Sequence, residues 1–228
     1  MILIGLMQGC MDYKQLDPQT LGERETYKLL IGCVVPRPIA WVSTLDLAGA
    51  RNLAPFSFFN AIGSNPPAIS ISVGYVDDRD QRKDTLRNIS DTGEFVVNIV
   101  DEDLAQAMNA TSANYPPDVD EFEIAGVVAV PCVTVRPARV AGAPVSLECK
   151  LFTLVPVGEG PGSATMVIGV IQMIHVRTDI INERHYIDIT KLRPIARLAG
   201  AGYAYVHETF DMVRPVYDKA TGKVEPPR

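Results

Sequence analysis

The sequence predicts a mainly β, antiparallel fold with a few flanking helices, and three observations carry that expectation. Apolar and small polar residues alternate over short runs such as "AISISVGY", as in half-buried strands. Pro and Gly interrupt the chain at short intervals, which fits a barrel or sandwich better than a parallel sheet with regularly spaced crossover helices. The later part of the chain is dominated by strand-like segments, "VAVPCVTV", "VSLECKLFTLVPVG" and "TMVIGVIQMIHV".

The elements follow in order. A short helix is expected in "DPQTLGERETYKLLIG", with Pro18 at its opening and Gly32 after its last periodic residue. From Pro36 the pattern becomes extended: "PIAWVSTLD" and "ARNLAPFSFFNAI" flank the turn-like "LDLAGA" and read as a hairpin. "SNPP" breaks the chain before the next strand. A helix over roughly 85–92 stops at Gly93, the usual residue past a helix end. "EFVVNIV" is the following strand, "EDLAQAMNATSA" looks helical, and "NYPPDVDEF" reads as a loop. There is no internal repeat and no linker, so 11–228 reads as one domain.

Composition bounds the function. The chain has 228 residues, 47% hydrophobic and 21% charged, with a formal net charge of -6. No basic stripe compensates that balance, which argues against nucleic acid as a partner; any anion site must be local. The four cysteines, Cys10, Cys33, Cys132 and Cys149, lie far apart without CxxC spacing, which fits free thiols in a reducing cytoplasm. The opening "MILIGLMQGC" lacks a basic start, and nothing later approaches a membrane-spanning run. The plainer reading starts the domain at Met11, leaves 1–10 as an N-terminal extension outside the native start, and makes the protein cytoplasmic with no membrane partner.

Common catalytic signatures are missing: no GxSxG, no HExxH and no Walker loop, and His175, His185 and His207 are too dispersed to argue for a metal. "GEGPG" at 158–162 lies between two strand patterns, whereas a dinucleotide fingerprint runs from strand into helix, so it reads as a hairpin loop.

"QRKDTLRNIS" raises a question of charge. Arg82 and Lys83 precede Asp84-Thr85, the expected helix start, where the helix dipole disfavours cations. Asp84 or Thr85 can cap the helix with a side-chain oxygen. Locally two readings stand: a solvated helix start with two exposed basic side chains, or a phosphate held by first-turn amides, the Thr85 hydroxyl and both cations.

Four segments in one order widen that context: "VVPRPIAWVSTLD", "NLAPFSFFNAIGSNPPAISISVG", "KDTLRNISDTGEFVVNIV" and "KLRPIARLAGAGYAYVHETFDMVRP". Together they resemble the flavin reductase-like family, in its flavoredoxin and flavin-reductase-component branch, over nearly the whole chain from about Met11. The resemblance implies an FMN-binding split β-barrel, antiparallel and Greek-key-like, in a homodimer that holds FMN (with FAD as the alternative flavin) between barrel and partner subunit. It implies that Lys83 and Thr85 hold the phosphate, with Asp84 shaping the turn and Arg82 nearby. Ser57 and Asn60 would meet the ribityl chain or phosphate, and Trp41, Ser43 and Thr44 would line the isoalloxazine ring, partly through backbone amides; by residue type alone Trp41 equally fits a core aromatic, and Ser57 and Asn60 turn or strand-edge groups. Arg197 and the stretch ending in Tyr203 would close the site, from the same or the other subunit, with Arg197 alternatively pairing a surface acid, and His175 falls near the flavin or on a surface strand. The implied activity is NAD(P)H:flavin oxidoreductase, with hydride passing from nicotinamide to flavin N5, no named catalytic side chain, and a monooxygenase as one recipient of reduced flavin. Two alternatives stay open: an FMN electron-transfer protein without direct NAD(P)H oxidation, and a flavoenzyme for a specific small organic substrate.

Overall fold

Local turn chemistry sets the ends of the first elements in the computed structural model, which describes residues 12–75, 83–219 and 221–225. The readings that fall on Met11, Cys10, the N-terminal extension and Arg82 lie outside the described residues. Pro18 does not open a helix. Asp17 instead closes a turn, its carboxylate accepting from Gln19 N at 2.9 Å and its carbonyl from Thr20 N at 3.0 Å. Helix α1 (Glu23–Cys33) starts after Gly22, and Gly32 sits inside its last turn.

Strands β1 (Ala40–Leu45) and β2 (Arg51–Phe56) form the expected hairpin. The run "FSFFNAI" does not extend β2: the chain breaks at Ser57-Phe58 and resumes as β3 (Phe59–Ser64), which turns at "SNPP" into β4 (Pro67–Gly74). Helix α2 (Asp84–Thr92) ends where expected, with Gly93 at φ 70 in the left-handed region that glycine tolerates. β5 (Glu94–Ile99) follows. The helical pattern beyond it contracts to α3 (Ala105–Ala110), and the loop after that ends in an unexpected short helix, α4 (Glu121–Ala125). Asp120 caps α4, its carboxylate accepting from Phe122 N at 2.9 Å.

"VAVPCVTV" yields only the two-residue β6 (Ala129–Val130), paired with β7 (Arg139–Val140). The long strands β8 (Val145–Val157) and β9 (Ala164–Val176) flank the hairpin loop expected at 158–162. A short helix α5 (Ile189–Leu192) leads to β10 (Ile195–Arg197) and β11 (Tyr203–Tyr205), and β12 (Val216–Asp218) pairs with β13 (Lys223–Glu225).

Seven strands form one antiparallel sheet in the order β2-β1-β5-β8-β9-β4-β3. Register shifts at Glu148/Cys149 and Leu151/Thr153 divide the β8–β9 hairpin. Its early β8 residues pair with β5 and its early β9 residues with β4, so the hairpin joins the two halves of the sheet.

Period-two alternation then makes two cores. Ala40, Val42, Phe95 and Val97 point inward with Ile69, Ile71, Val73 and Val167, and Leu86 and Ile89 of α2 pack into the same cluster. Trp41, Leu53 and Val140 point the other way, against Met108 of α3 and Phe122 of α4. Between the layers both polar atoms of the Asn98 side chain are engaged: its amide donates to Trp41 O at 3.0 Å, and its carbonyl accepts from Val140 N at 3.0 Å and Ser146 Oγ at 2.8 Å.

The inner core is tightest at Gly169 of β9. A Cβ there would stand 2.8 Å from Phe95 Cε1 and 3.3 Å from Cys149 Cβ, and both residues are fully buried. Gly169→Ala is expected to lower stability by about 2 kcal/mol through overpacking, read as a lower urea midpoint at unchanged m-value.

Candidate functional site

Alternation along β4 has a second consequence. With Ile69, Ile71 and Val73 in the core, Ser70 and Ser72 face the opposite side, where Asn60 of β3 pairs in register with Ser70. They line an open groove of about 560 Å³. Leu30 and Val34 from the end of α1, Pro36, Pro38, Phe58 and Phe59 supply apolar walls, and Ser57, Asn60, Ser70 and Ser72 supply polar groups. An apolar slot with a few convergent polar groups is the ordinary form of a small-molecule site.

Arg37 lines the same groove yet is only 4% exposed. Its guanidinium donates to Ile31 O at 2.9 Å, Val34 O at 2.6 Å and Leu198 O at 2.9 Å, with Nε 3.4 Å from Ser57 Oγ. It also stands over the Phe58 ring, 5.7 Å from the centroid. The backbones of Arg37 and Arg197 exchange hydrogen bonds of 3.0 and 2.9 Å. That pairing sets the Arg197 backbone beside Arg37; the Arg197 guanidinium covers the Tyr203 ring at 4.4 Å, and the Tyr203 hydroxyl donates to Asn109 Oδ1 at 3.2 Å.

The start of α2 differs from the sequence reading in one respect. Neither Asp84 nor Thr85 caps it; Lys83 is the N-cap, and among the described residues no side chain bonds the first-turn amides. Both oxygens are engaged elsewhere. Asp84 pairs with Arg87 at 2.6 Å, and the buried Thr85 hydroxyl accepts from Asn52 Nδ2 at 3.0 Å. Thr44, opposite Asn52 in register, accepts from Asn88 Nδ2 at 3.1 Å, so Thr44, Asn52, Thr85 and Asn88 form a buried polar cluster fastening α2 to β1 and β2. Lys83 places its ammonium over the Phe56 ring, 5.7 Å from the centroid. Burial pulls its ammonium below the ordinary lysine value, and no carboxylate pairs with it among the described residues. An uncapped helix start beside a partly desolvated, unpaired ammonium has the donor set that a phosphate takes.

The candidate residues therefore separate into groups. Ser57 and Asn60 meet in the groove; Lys83 stands over Phe56, a core residue that precedes Ser57 in the chain and does not itself line the groove; Arg197 is tied to the groove through the backbone of Arg37, and Tyr203 lies under its guanidinium. Trp41 and Ser43 lie behind the sheet: the fully buried indole donates to Thr111 Oγ1 at 2.8 Å, and the Ser43 hydroxyl donates to Ala138 O. The Trp41 side chain belongs to the outer core and has no surface with which to line a ring. Arg37, Ser70 and Ser72 were not singled out from sequence. The legible signal for Arg37 was its setting, a lone cation between two prolines in the apolar run "CVVPRPIAWV".

His175 is not in the groove. Its Nε2 lies 2.6 Å from Glu148 Oε1, and Glu148, fully buried, also accepts from Val133 N at 2.8 Å and from the amide and hydroxyl of Thr134, each at 2.5 Å. Burial alone pushes this carboxyl up; the hydrogen bonds from Thr134, Val133 and His175 outweigh it and hold it at about 2. The segment "PCVTV", expected as strand, is a loop wrapped on this carboxylate instead. Among the described residues no group of three or more His, Cys, Asp or Glu is arranged to hold a metal, and no helix is long and apolar enough to cross a membrane.

Residues 31–194 match the flavin reductase like domain, and the chain belongs to that family. It is similar to nitrilotriacetate monooxygenase component B from Bacillus cereus, at 36% identity over 89% of this chain and 100% of that one, with a TM-score of 0.84. It is also similar to the 2-nitrobenzoate 2-nitroreductase NbaA of Pseudomonas fluorescens, at 31% identity over 92% and 100% of the two chains, TM-score 0.80. A split barrel domain protein from Shewanella frigidimarina, 20% identical over 86% and 95% of the two chains, shares the fold at a TM-score of 0.75. In general terms the chain is thus a flavin oxidoreductase of split-barrel fold.

Because Glu148 has a depressed pKa, its contribution to stability is complete above the ordinary value of 4.5 and is lost as pH falls toward about 2. The urea midpoint of the native chain should fall across that window, while that of Glu148→Gln, lower from the outset, should change less.

Proposed function

We propose that the chain binds FMN in the groove beside Arg37 and acts as an NAD(P)H-dependent flavin oxidoreductase. Two observations support the reading: a slot of about 560 Å³ lined by Ser57 and Asn60, and an uncapped helix start whose ammonium, over Phe56, lacks a carboxylate partner among the described residues. Lys83 and the first-turn amides of α2 would hold the phosphate, and Ser57 and Asn60 the ribityl hydroxyls. Pro36, Pro38 and Phe58 would pack against the ring, with Arg197 and Tyr203 bounding the slot. When bound, FMN supplies a ring that accepts hydride at N5. The protein's share is to stack donor and acceptor and to exclude water, which requires no acid or base among the groove residues.

A homodimer suits this reading. β3 is an outer strand of the sheet, and Leu30, Val34 and Ile62, at 50%, 57% and 53% exposed, offer apolar surface near the groove for a second copy. Likeness to a monooxygenase component B supports an oxygenase as recipient of reduced flavin.

The purified chain should bind FMN, and NADH or NADPH should bleach it anaerobically faster than free FMN. Bleaching no faster than in free solution would overturn the reductase reading in favour of electron transfer without nicotinamide. Lys83→Ala should weaken FMN binding about tenfold or more while leaving riboflavin, which lacks the phosphate, unchanged. Equal losses for both flavins would overturn the phosphate assignment. Lys83 is the better probe because Thr85 is committed to Asn52.

A further inference from the structure

Arg37 is a buried cation whose charge is not cancelled. Its hydrogen-bond partners are three carbonyls and a hydroxyl, all neutral, and among the described residues no carboxylate pairs with it. Burying a guanidinium costs free energy, and carbonyl dipoles offset that cost without removing the charge. One Nη2–H has no partner among the described residues, because Nη2 donates only to Leu198 O. The charge is also rigidly placed. Its partners come from the end of α1, the corner between β2 and β3, and the segment joining β10 to β11, so rotation would break contacts in all three.

A fixed positive charge at the wall of an apolar slot favours a ligand that gains negative charge there. Hydride transfer does this: two electrons and one proton enter the ring, the nicotinamide leaves oxidised, and the ring is left with one negative charge. We propose that Arg37 stabilises the reduced, anionic ring over the oxidised, neutral one and so sets the reduction potential of bound FMN. This rests on the proposed FMN site. It assigns Arg37 a role distinct from that of Lys83, whose charge would meet the phosphate in both redox states.

The test compares affinities for oxidised FMN and for dithionite-reduced FMN, with the midpoint potential of the bound flavin, in the native chain, Arg37→Gln and Arg37→Lys. Arg37→Gln should lower the ratio of reduced to oxidised affinity by about tenfold, a potential ~30 mV more negative for a two-electron couple. Arg37→Lys should keep most of the native ratio, and Lys83→Ala should weaken both redox states alike. An unchanged ratio in a folded Arg37→Gln chain would overturn the proposal and leave Arg37 as a structural clamp. Should the variants fail to fold, the native chain decides. Its bound reduced flavin should keep the absorbance of the anionic form as pH falls below neutral, and protonation at the pH of free reduced FMN would overturn the proposal. A native chain that binds no FMN overturns the site assignment itself, an outcome separate from these.

Discussion

The groove exists because one guanidinium holds three backbone segments at once. Arg37 collects the carbonyls of Ile31 and Val34, close to it in the chain, and that of Leu198, 161 residues away; it also reaches the Ser57 hydroxyl and stands over Phe58. The carbonyls at 31 and 34 belong to the end of α1, where the helix leaves acceptors without intrahelical partners. Arg37 satisfies those acceptors and fixes the angle at which α1 meets the sheet. Pro36 and Pro38 on either side stiffen the backbone that carries it. Without this clamp the apolar walls from α1 and the β2–β3 corner would have no common reference.

A second constraint acts on the other cation. Lys83 is held over Phe56 because the first two turns of α2 are fastened inward: Thr85 to Asn52, and Asn88 to Thr44. Hydrogen bonds between side chains in a buried place are demanding of geometry, since a misplaced partner leaves an unsatisfied polar group. The cluster therefore orients the helix start as well as stabilising it. The two cations differ in kind as a result: Lys83 is a partly desolvated ammonium over an aromatic ring with no hydrogen-bond partner among the described residues, and Arg37 is a fork held by four acceptors in the wall.

The outer half of the molecule follows the same logic without touching the groove. Glu148 sits at a register shift between β8 and β9 and gathers the loop at 133–134 and His175 around one carboxylate. The same shift helps join the two halves of the sheet. Trp41 closes the outer core against Thr111 and Met108, which explains why an aromatic beside candidate ligand residues in sequence is absent from the groove itself.

Strand identity, the hairpins and the end of α2 at Gly93 were legible in the sequence, because alternation and turn residues act over a few positions. So was the unusual charge at Lys83, since a cation at a helix start is a local conflict. The inward turn of Thr85 was not, because it depends on Asn52, 33 residues away. The loop at 133–134 looked like strand because Val and Thr favour strands, and only Glu148 in the folded state recruits its amides. Arg37 was visible as a charge out of place, but its partners include Leu198, 161 residues distant. Sequence by itself determined the long strands of the main sheet and where charge conflicts arise; tertiary structure alone decided which face each polar side chain serves, because burial and hydrogen-bond partners are properties of the packed chain.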